Sequence, residues 1–292
     1  MLPAMDFMRG AIVLVVATSG CKGDDGDDGA AGETEATGAA TSSPADDGDG
    51  VDDGADAPND DGDDGQVDST AADDGGDDEG GPPAGPGLDD EFDADLSAWD
   101  LLNASEATAT VADGALVLEP TANSLWYQGD SAVHVHKLVA GDFAMTGFVR
   151  ARSIANPEAP PTVPYRLGGL MARSPVDAGG LDYVFIVIGA DEDDVAVETK
   201  TTIDSSSTFM GPPWPSAEGE LRVCRVGSTF ELLIRAQAGD AWESRATFER
   251  PDLPGALAVG PLAYAFQPDP DLRVTFDYVR FVPVTDLADC RE

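Results

Sequence analysis

Aromatic residues beside polar ones are the part of this sequence whose chemistry is most specific. Trp126 and Tyr127 adjoin Gln128 and Asp130 in a segment bounded by turn-forming residues, and Trp214 lies in a proline-rich stretch. Sugars expose apolar C–H faces, so their binding sites combine accessible aromatic rings with hydrogen-bonding groups. This pattern predicts a carbohydrate site. Burial in a core is the alternative for Trp126, and surface contact is the expectation for Trp214.

The two histidines of the chain, His134 and His136, are separated by one residue. On a β-strand both rings would project from the same face, and two imidazoles at that spacing can share a zinc or copper ion. No third ligand is evident locally, although Asp130 and Asp142 are close in sequence. We therefore predict no metal centre. We interpret the pair as polar residues of a half-exposed face or, if that face binds a ligand, as contacts to it.

Two arginines are further candidates for ligand binding. Arg152 and Arg173 end two predicted strands that we expect to be neighbours in a sheet. A guanidinium group can donate hydrogen bonds to sugar hydroxyls. The alternative for both residues is pairing with the many acidic side chains of the chain.

A pair of carboxyl groups would be needed for glycoside hydrolysis, about 5 Å or about 6.5–9.5 Å apart across a cleft. The nearest candidates are the acidic run at 191–194 and Glu198. Glu192 and Asp194 would share a strand face, but the run follows a glycine and is typical of a solvated loop. No catalytic residue is predicted, and a hydrolase is the less favoured reading.

Acidic residues dominate the charge of the chain. Its 292 residues include 56 Asp and Glu against 16 Lys and Arg, a formal net charge of −40. A chain without a basic patch cannot neutralise phosphates, which argues against nucleic acid as a partner. The same charge argues against direct docking on anionic lipid. The apolar runs are also shorter than the ~18 residues of a membrane-spanning helix.

Residues 1–20 have the features of an export signal. Arg9 supplies a positive charge, and residues 11–17 form an apolar core too short to span a bilayer. The following sequence TSGC at 18–21 resembles the lipobox of bacterial lipoproteins. The resemblance implies that Cys21 is lipidated and that the protein contacts the membrane through this anchor only, at the outer membrane or cell surface. An ordinary secretory signal is the alternative.

Residues 21–88 consist almost entirely of Asp, Gly, Ala, Ser, Thr and Pro. From Lys22 to Leu88 there are 22 acidic residues, one lysine and no aromatic residue. No core can therefore offset the entropy of ordering this segment. We predict a disordered acidic tether with a span of roughly 45–50 Å or more. An array of calcium sites is the alternative, so calcium is kept open as a cofactor, although no segment matches the acidic loop of an EF-hand.

Residues 89–292 carry short alternating apolar runs between Gly, Pro, Asp and Asn clusters, and almost no helix signal. Turn signals at Asp113-Gly114 and Gly227-Ser228 indicate hairpins, and a phase slip after Tyr278 predicts a β-bulge. The predicted strands are 108–111, 115–118, 133–139, 142–152, 167–173, 181–188, 196–203, 221–226, 229–236, 245–249, 256–266 and 272–282. Strands at this spacing without interleaved helices predict one all-β domain, an antiparallel β-sandwich.

Short motifs follow one another in a distinctive order between Leu88 and Val284. They are Asp90-Glu91-Phe92, Trp99, Asp113-Gly114-Ala115-Leu116, Trp126-Tyr127, Gly141-Asp142-Phe143, Gly168–Arg173, Leu221-Arg222, Arg225-Val226-Gly227, Gly239-Asp240 with Trp242, and Phe276–Phe281. In this order they resemble the concanavalin A-like lectin/glucanase sandwich, in particular its bacterial DUF1349 or regulation-of-enolase-like branch. The resemblance implies a jelly roll whose concave sheet often binds glycans, with Trp99 and Trp242 in structural positions. A fold likeness does not by itself transfer function.

Cys224 and Cys290 remain if Cys21 is lipidated, an even number in an exported protein. We predict a disulfide that closes a loop of about 67 residues and ties the C-terminal tail to a strand. The surroundings lack the basic groups that a catalytic thiol needs, apart from two nearby arginines.

The sequence as a whole predicts a monomeric surface lipoprotein that displays a non-catalytic carbohydrate-binding β-sandwich, whose partner is a carbohydrate or cell-surface polymer. A structural or protein-interaction module of the cell envelope is the first alternative, and a glycoside hydrolase is the second. The predicted ligand-binding residues are Trp126, Tyr127, His134, His136, Arg152, Arg173 and Trp214.

Overall fold

Two antiparallel seven-stranded sheets form the regular structure of the residues that the computed structural model describes, which are 81–176, 180–192, 194–266 and 269–292. The strands are β1 Asp100–Leu102, β2 Ala107–Ala112, β3 Ala115–Pro120, β4 Val133–Ala140, β5 Phe143–Arg152, β6 Arg166–Arg173, β7 Tyr183–Ala190, β8 Val195–Ile203, β9 Ser206–Met210, β10 Glu218–Val226, β11 Thr229–Arg235, β12 Glu243–Glu249, β13 Ala256–Ala265 and β14 Arg273–Val282. Sheet A has the order β1-β4-β13-β6-β7-β8-β9, and sheet B has the order β12-β11-β10-β5-β14-β3-β2. The fold is an all-β jelly-roll sandwich of concanavalin A-like type.

The predicted export signal, the lipidation site Cys21 and most of the predicted tether lie outside the described residues. The last part of that segment is described: Pro83 forms a bridge with Ala140, and Pro86–Leu88 form a 3-10 turn. Within the described ranges, no helix has the length and apolar character needed to cross a membrane.

All twelve strands predicted from the apolar alternation are present, and their bounds differ from the prediction by at most three residues. The structure adds β1 and β9, which the sequence patterns missed. β1 has only three residues, and β9 is serine-rich and largely exposed. The turn before β9 consists of Asp204 and Ser205, whose φ angles are 47° and 65°. This turn lacks the glycine that normally marks such a hairpin, so the sequence pattern did not predict the hairpin between β8 and β9.

The predicted hairpins and the predicted bulge are confirmed. Asp113 and Gly114 have φ angles of 54° and 71° between paired Ala112 and Ala115, as a two-residue type I′ turn requires. The register between β14 and β5 shifts between Phe276 and Val279. Because of this bulge, the apolar residues before and after it all face the core, namely Val274, Phe276, Val279 and Phe281.

The main core lies between the two sheets. Sheet B supplies alternate residues of β5, and these are Phe143, Met145, Val149 and Ala151. Sheet A supplies Leu170 and Ala172 of β6 together with Val184, Ile186 and Ile188 of β7. All of these side chains are fully buried. The alternation of the strands therefore places one residue in two inside the sandwich and sends the others outward.

Strand β7 is buried on its other face as well. Its outward residues Tyr183, Phe185 and Val187 belong to a second apolar cluster on the far side of sheet A. β7 is thus apolar on both faces, as a central strand of a layered structure is expected to be. Residues outside the two sheets, among them Trp126 and Ala132, cover this side of sheet A.

The predicted disulfide between Cys224 of β10 and Cys290 is present, and both residues are fully buried on the outer side of sheet B. Hydrogen bonds reinforce this attachment of the C-terminal tail. Arg222 Nη1 donates to the carbonyl oxygens of Cys290 and Glu292 at 2.7 and 2.9 Å. Arg291 in turn contacts Glu231 at 2.6 Å.

Replacing both Cys224 and Cys290 by alanine should lower the free energy of unfolding by about 4 kcal/mol, because the long loop is then free in the unfolded chain. Denaturant titration of the oxidised protein would measure the loss. Addition of reductant should destabilise the unaltered protein by a similar amount and leave the variant unchanged. An unaltered unfolding midpoint in the variant would contradict this account of the tail.

Candidate functional site

The outer face of sheet A, which points away from the sandwich core, gathers the aromatic and polar side chains relevant to binding. Strand alternation and the pairing registers place them in adjacent rows. The side chains are His134 and His136 of β4, Leu262 and Tyr264 of β13, Met171 and Arg173 of β6, Tyr183 and Phe185 of β7, Glu198 and Lys200 of β8, and Ser207 and Phe209 of β9.

A buried ion pair lies on this face. Lys200 Nζ and Glu198 Oε1 are 2.9 Å apart, and both side chains are at most 4% exposed. Lys200 Nζ also donates to the carbonyl oxygen of Trp126 at 2.8 Å, and the Tyr264 hydroxyl donates to Glu198 at 3.4 Å. Burial raises the pKa of Glu198, and the charge of Lys200 opposes that rise. Each charge is thus held in an apolar layer only by the other and by these hydrogen bonds.

Aromatic rings surround the Lys200 ammonium group. The distances from Nζ to the ring centroids are 4.6 Å for Phe185, 5.2 Å for Tyr127, 5.4 Å for Phe209 and 5.9 Å for Tyr264. Tyr127 and Phe209 also contact each other edge to face, with centroids 5.8 Å apart. Phe209 is 41% exposed and Tyr127 is partly exposed, so this pair forms the part of the cluster that solvent reaches.

The connection from β3 to β4, residues 121–132, covers the outer face of sheet A, and we call it the strap. Trp126 of the strap is fully buried, with its ring 5.6 Å from Tyr183, 6.2 Å from His134 and 5.7 Å from the Arg173 guanidinium. Asn103 anchors the end of the strap through the carbonyl oxygens of residues 130 and 132. Of the two readings of Trp126, the structure shows burial.

The two histidines do share a face, as their spacing predicts. Their rings are stacked with centroids 5.0 Å apart. His134 is fully buried and His136 partly so, and burial lowers the pKa of both imidazoles. Among the described residues no group of three His, Cys, Asp or Glu side chains could hold a metal ion. Asp142, one of the residues considered as a third ligand, instead accepts a hydrogen bond from Gly227 at 2.7 Å.

Five of the seven predicted binding residues meet on this face, namely Trp126, Tyr127, His134, His136 and Arg173. The expected adjacency of the strands that carry Arg152 and Arg173 is wrong, because β5 belongs to sheet B and β6 to sheet A. Arg152 contacts Glu218 instead. Trp214 is half-buried against the sandwich core rather than fully exposed at a loop tip, and the Arg245 guanidinium lies 5.5 Å from its ring.

Trp99 and Trp242 occupy structural positions, as the family resemblance implies. Trp99 donates from Nε1 to Asp90 at 2.7 Å and stacks on Phe92. Trp242 is sandwiched between the guanidinium groups of Arg222 and Arg235, at 4.2 and 4.3 Å.

The acidic run lies in the turn between β7 and β8, as predicted for a loop, although Asp193 is outside the described residues. Burial raises the pKa of Asp191, and the charge of Asp191 contributes to the raised pKa of Glu198. The Tyr165 hydroxyl donates to Glu192 at 3.3 Å. This end of the outer face of sheet A is thus the acidic end.

Sequence reasoning missed the central residues of the site. Glu198 was considered only as a neighbour of the acidic run, and Lys200, Tyr183, Tyr264 and Phe209 were not considered. One weak signal was available: Glu198, Lys200 and Thr202 fall at alternate positions along β8, on the face opposite to Val197. That pattern places a polar stripe on one face of a strand, but it does not reveal that the face is covered.

Lys200→Met should lower the free energy of unfolding at neutral pH by about 3–5 kcal/mol, because it leaves the Glu198 carboxylate buried without its partner. The folded-state pKa of Glu198 then rises further above the unfolded value near 4.3. The folded state retains a proton that the unfolded state releases, so the deficit should shrink as the pH is lowered toward that value.

Arg280→Met is the matched control, because Arg280 and Glu91 form a half-exposed ion pair that contributes at most about 1 kcal/mol. Denaturant titrations between neutral pH and about pH 5 would compare the two variants. Equal losses in both, or a Lys200→Met deficit that does not change with pH, would show that the buried pair has no special importance.

No family model and no curated protein matches this chain. Solved structures do. A functionally unknown protein from Saccharomyces cerevisiae aligns over 66% of this chain and 100% of its own, with 17% identity and a TM-score of 0.53. The GH43 BlXynB protein from Bacillus licheniformis aligns over 68% of this chain with 12% identity and a TM-score of 0.55.

The chain spans only 39% of the length of that GH43 protein. A Lotus tetragonolobus seed lectin aligns over 68% of this chain and 98% of its own, with 12% identity and a TM-score of 0.47. At such identities a structural likeness establishes the fold and nothing further. The yeast and GH43 proteins, with TM-scores above 0.5, therefore show that the chain shares their all-β sandwich fold.

Proposed function

We propose that this domain binds carbohydrate at the outer face of sheet A. The observation that carries the proposal is the partly exposed pair of Tyr127 and Phe209, which lies over the buried Glu198–Lys200 ion pair. Aromatic rings of this kind stack on the C–H faces of a sugar, and the buried ion pair beneath them helps to hold the rings in place. The concanavalin A-like fold is compatible with this function and does not establish it.

We place the domain in the regulation-of-enolase-like branch of the fold on the order of its sequence motifs. The structure brings the first and last of these motifs together, which supports treating them as one set. Asp90 and Val279 exchange backbone hydrogen bonds of 2.8 and 2.9 Å, and Phe92 stacks on Trp99. The motif at Asp90–Phe92 thus contacts both Trp99 and the last motif, Phe276–Phe281.

We propose that binding occurs without hydrolysis. A glycosidase needs two carboxyl groups that reach the same bond from opposite sides. Here Glu198 is buried and is held by Lys200 and Tyr264, so its carboxylate is already engaged. Asp191 lies in the turn between β7 and β8. It does not by itself supply the two carboxyl groups that hydrolysis needs. The site is better suited to hold a sugar than to cleave one.

We also propose that Cys21 is lipidated and that residues 22–80 link this anchor to the domain in the cell envelope. The proposal rests on the lipobox-like sequence and on the high Asp and Gly content, because these residues lie outside the described part of the chain. A long charged linker would keep the binding face clear of a membrane surface that repels it.

Phe209→Ala should weaken binding about tenfold or more, because it removes an exposed ring worth roughly 1.4 kcal/mol. The full chain in detergent would be screened on a polysaccharide array, with and without calcium, and the best glycan then titrated. Val282→Ala is the matched control, since Val282 is 52% exposed at the end of β14 in sheet B. It should bind as the unaltered protein does.

The same experiment can overturn each part of the proposal. Absence of binding to every glycan by the folded protein would favour a structural or protein-interaction role. Equal binding by Phe209→Ala would place the site elsewhere. Release of reducing sugar from a bound glycan would contradict the absence of hydrolysis.

Cys21→Ala should abolish incorporation of a labelled fatty acid and move the protein from the detergent phase to the aqueous phase on phase separation. Ser42→Ala is the control, because Ser42 lies in the proposed linker outside the lipobox-like sequence and should not affect labelling. Persistent labelling of the Cys21→Ala variant would refute the proposed anchor.

A further inference from the structure

The strap covers polar groups that it leaves without good partners. Trp126 Nε1, both ring nitrogens of His134 and Ser124 Oγ are buried, and among the described residues none makes a hydrogen bond of normal geometry. The backbone of Gly260 offers His134 only a weaker interaction. Burial of a polar group without a hydrogen bond costs free energy. A ligand that bonds to these groups when the strap is displaced would recover that cost.

The backbone of the strap has a residue of unfavourable conformation and is attached at separate points. Gln128 has a φ of 53°, in the left-handed region that non-glycine residues rarely occupy. Between Pro120 and Val133 the chain forms no strand or helix. Its attachments within this stretch include Ser124 N to Ala265 O at 3.0 Å and Gln128 N to Ser207 Oγ at 3.3 Å. Lys200 Nζ also holds the carbonyl oxygen of Trp126 at 2.8 Å, and Asn103 holds the end of the strap. The strap is thus attached by hydrogen bonds at separate points and not by a continuous strand ladder, so these are the bonds that opening must break.

The Trp126 indole occupies surroundings that would also suit a sugar ring. It is flat and apolar on both faces, and it lies among Tyr183, His134 and the Arg173 guanidinium at 5.6–6.2 Å. A pyranose ring has a similar size and likewise needs aromatic contact together with hydrogen-bond donors at its edges. Tyr183 and His134 carry such donors. The Trp126 indole therefore occupies a position where hydrogen bonds to His134 and Tyr183 are available to a ligand, although the indole itself forms neither.

We propose that the strap is a gate and that Trp126 is an internal plug, which a sugar ring replaces when the strap opens. The inference rests on the proposed carbohydrate binding and names its inner subsite: a pyranose unit whose oxygens accept hydrogen bonds from His134 and Tyr183. Tyr127 moves with the strap, whereas Phe209 remains on β9. The exposed aromatic pair is then the mouth of the gate.

Locking the strap tests the gate directly. Gln128→Cys and Ser207→Cys introduce two thiols at adjacent positions, since the Gln128 backbone already contacts the Ser207 side chain. The oxidised double variant should bind the glycan at least tenfold more weakly than either single variant. The single variants control for the loss of each side chain. Equal binding by the locked protein and the single variants would overturn the gate.

Reducing the plug gives the second test. Apparent affinity is lowered by the fraction of molecules that are closed, and a minor open state commonly amounts to 0.1–10%. Trp126→Phe should therefore bind about tenfold more tightly than the unaltered protein, and Trp126→Ala is the larger truncation if it folds. Weaker binding by a folded Trp126→Phe would show that the indole is a platform for the ligand and would overturn the plug.

Hydrogen exchange separates failure of the gate from failure of carbohydrate binding, because it needs no ligand. Amides of residues 121–132 should exchange faster than those of β7, and oxidation of the Gln128→Cys/Ser207→Cys variant should suppress that exchange. If no glycan binds but the strap opens, the proposed function fails and the gate stands as a moving element. Strap amides as protected as those of β7 would overturn the gate whatever the array shows.

Discussion

Burial of sheet A on both of its faces is the constraint on which the rest of this structure depends. The central strands β13, β6 and β7 pack on the sandwich core with one face and must be covered on the other, because Leu262, Met171 and Phe185 point outward. Apolar groups of this size are stable only when they are removed from water. The strap provides that cover. Its position then decides which polar groups of the outer face are buried and which are accessible.

The charges of the domain are distributed according to this constraint. On sheet B most arginines pair with carboxylates in partial contact with water, as Arg150 does with Asp277 and Arg273 does with Glu119. Such pairs contribute little individually and suit a strongly acidic chain. On the outer face of sheet A the pair of Glu198 and Lys200 is fully buried. A buried pair is costly to form, so its presence there is better explained by a specific task than by stability.

The covered face means that the carbohydrate site we propose is not an open groove. Trp126 and the strap occupy the space that the proposed ligand would need. A site of this kind gains selectivity, because only a ligand that replaces the lost contacts can hold the strap open. The apparent affinity of such a site is lowered in proportion to the fraction of molecules in which the strap is closed.

The sequence by itself determined the elements that depend on local patterns. Alternating apolar residues specified the strands, Asp113-Gly114 specified a turn through its positive φ angles, and the phase slip after Tyr278 specified the bulge. Cys224 and Cys290 were the expected disulfide pair, because the chain has only three cysteines and therefore few alternatives. Each of these follows from neighbouring residues or from a very small number of partners.

Only the tertiary structure decided which strands adjoin and which face is covered. Crossover connections carry the chain from one sheet to the other between strands that follow each other in sequence. Arg152 of β5 and Arg173 of β6 therefore lie in different sheets. Trp126 carries the same local signal whether it is exposed or buried, and its burial depends on β4, β6 and β7 meeting beneath the strap. Apart from Glu198 of the same strand, the partners of Lys200 likewise come from four separate segments, which are the strap, β7, β9 and β13. Contacts between distant parts of the chain leave no periodic signal, because their energy depends on packing rather than on sequence spacing.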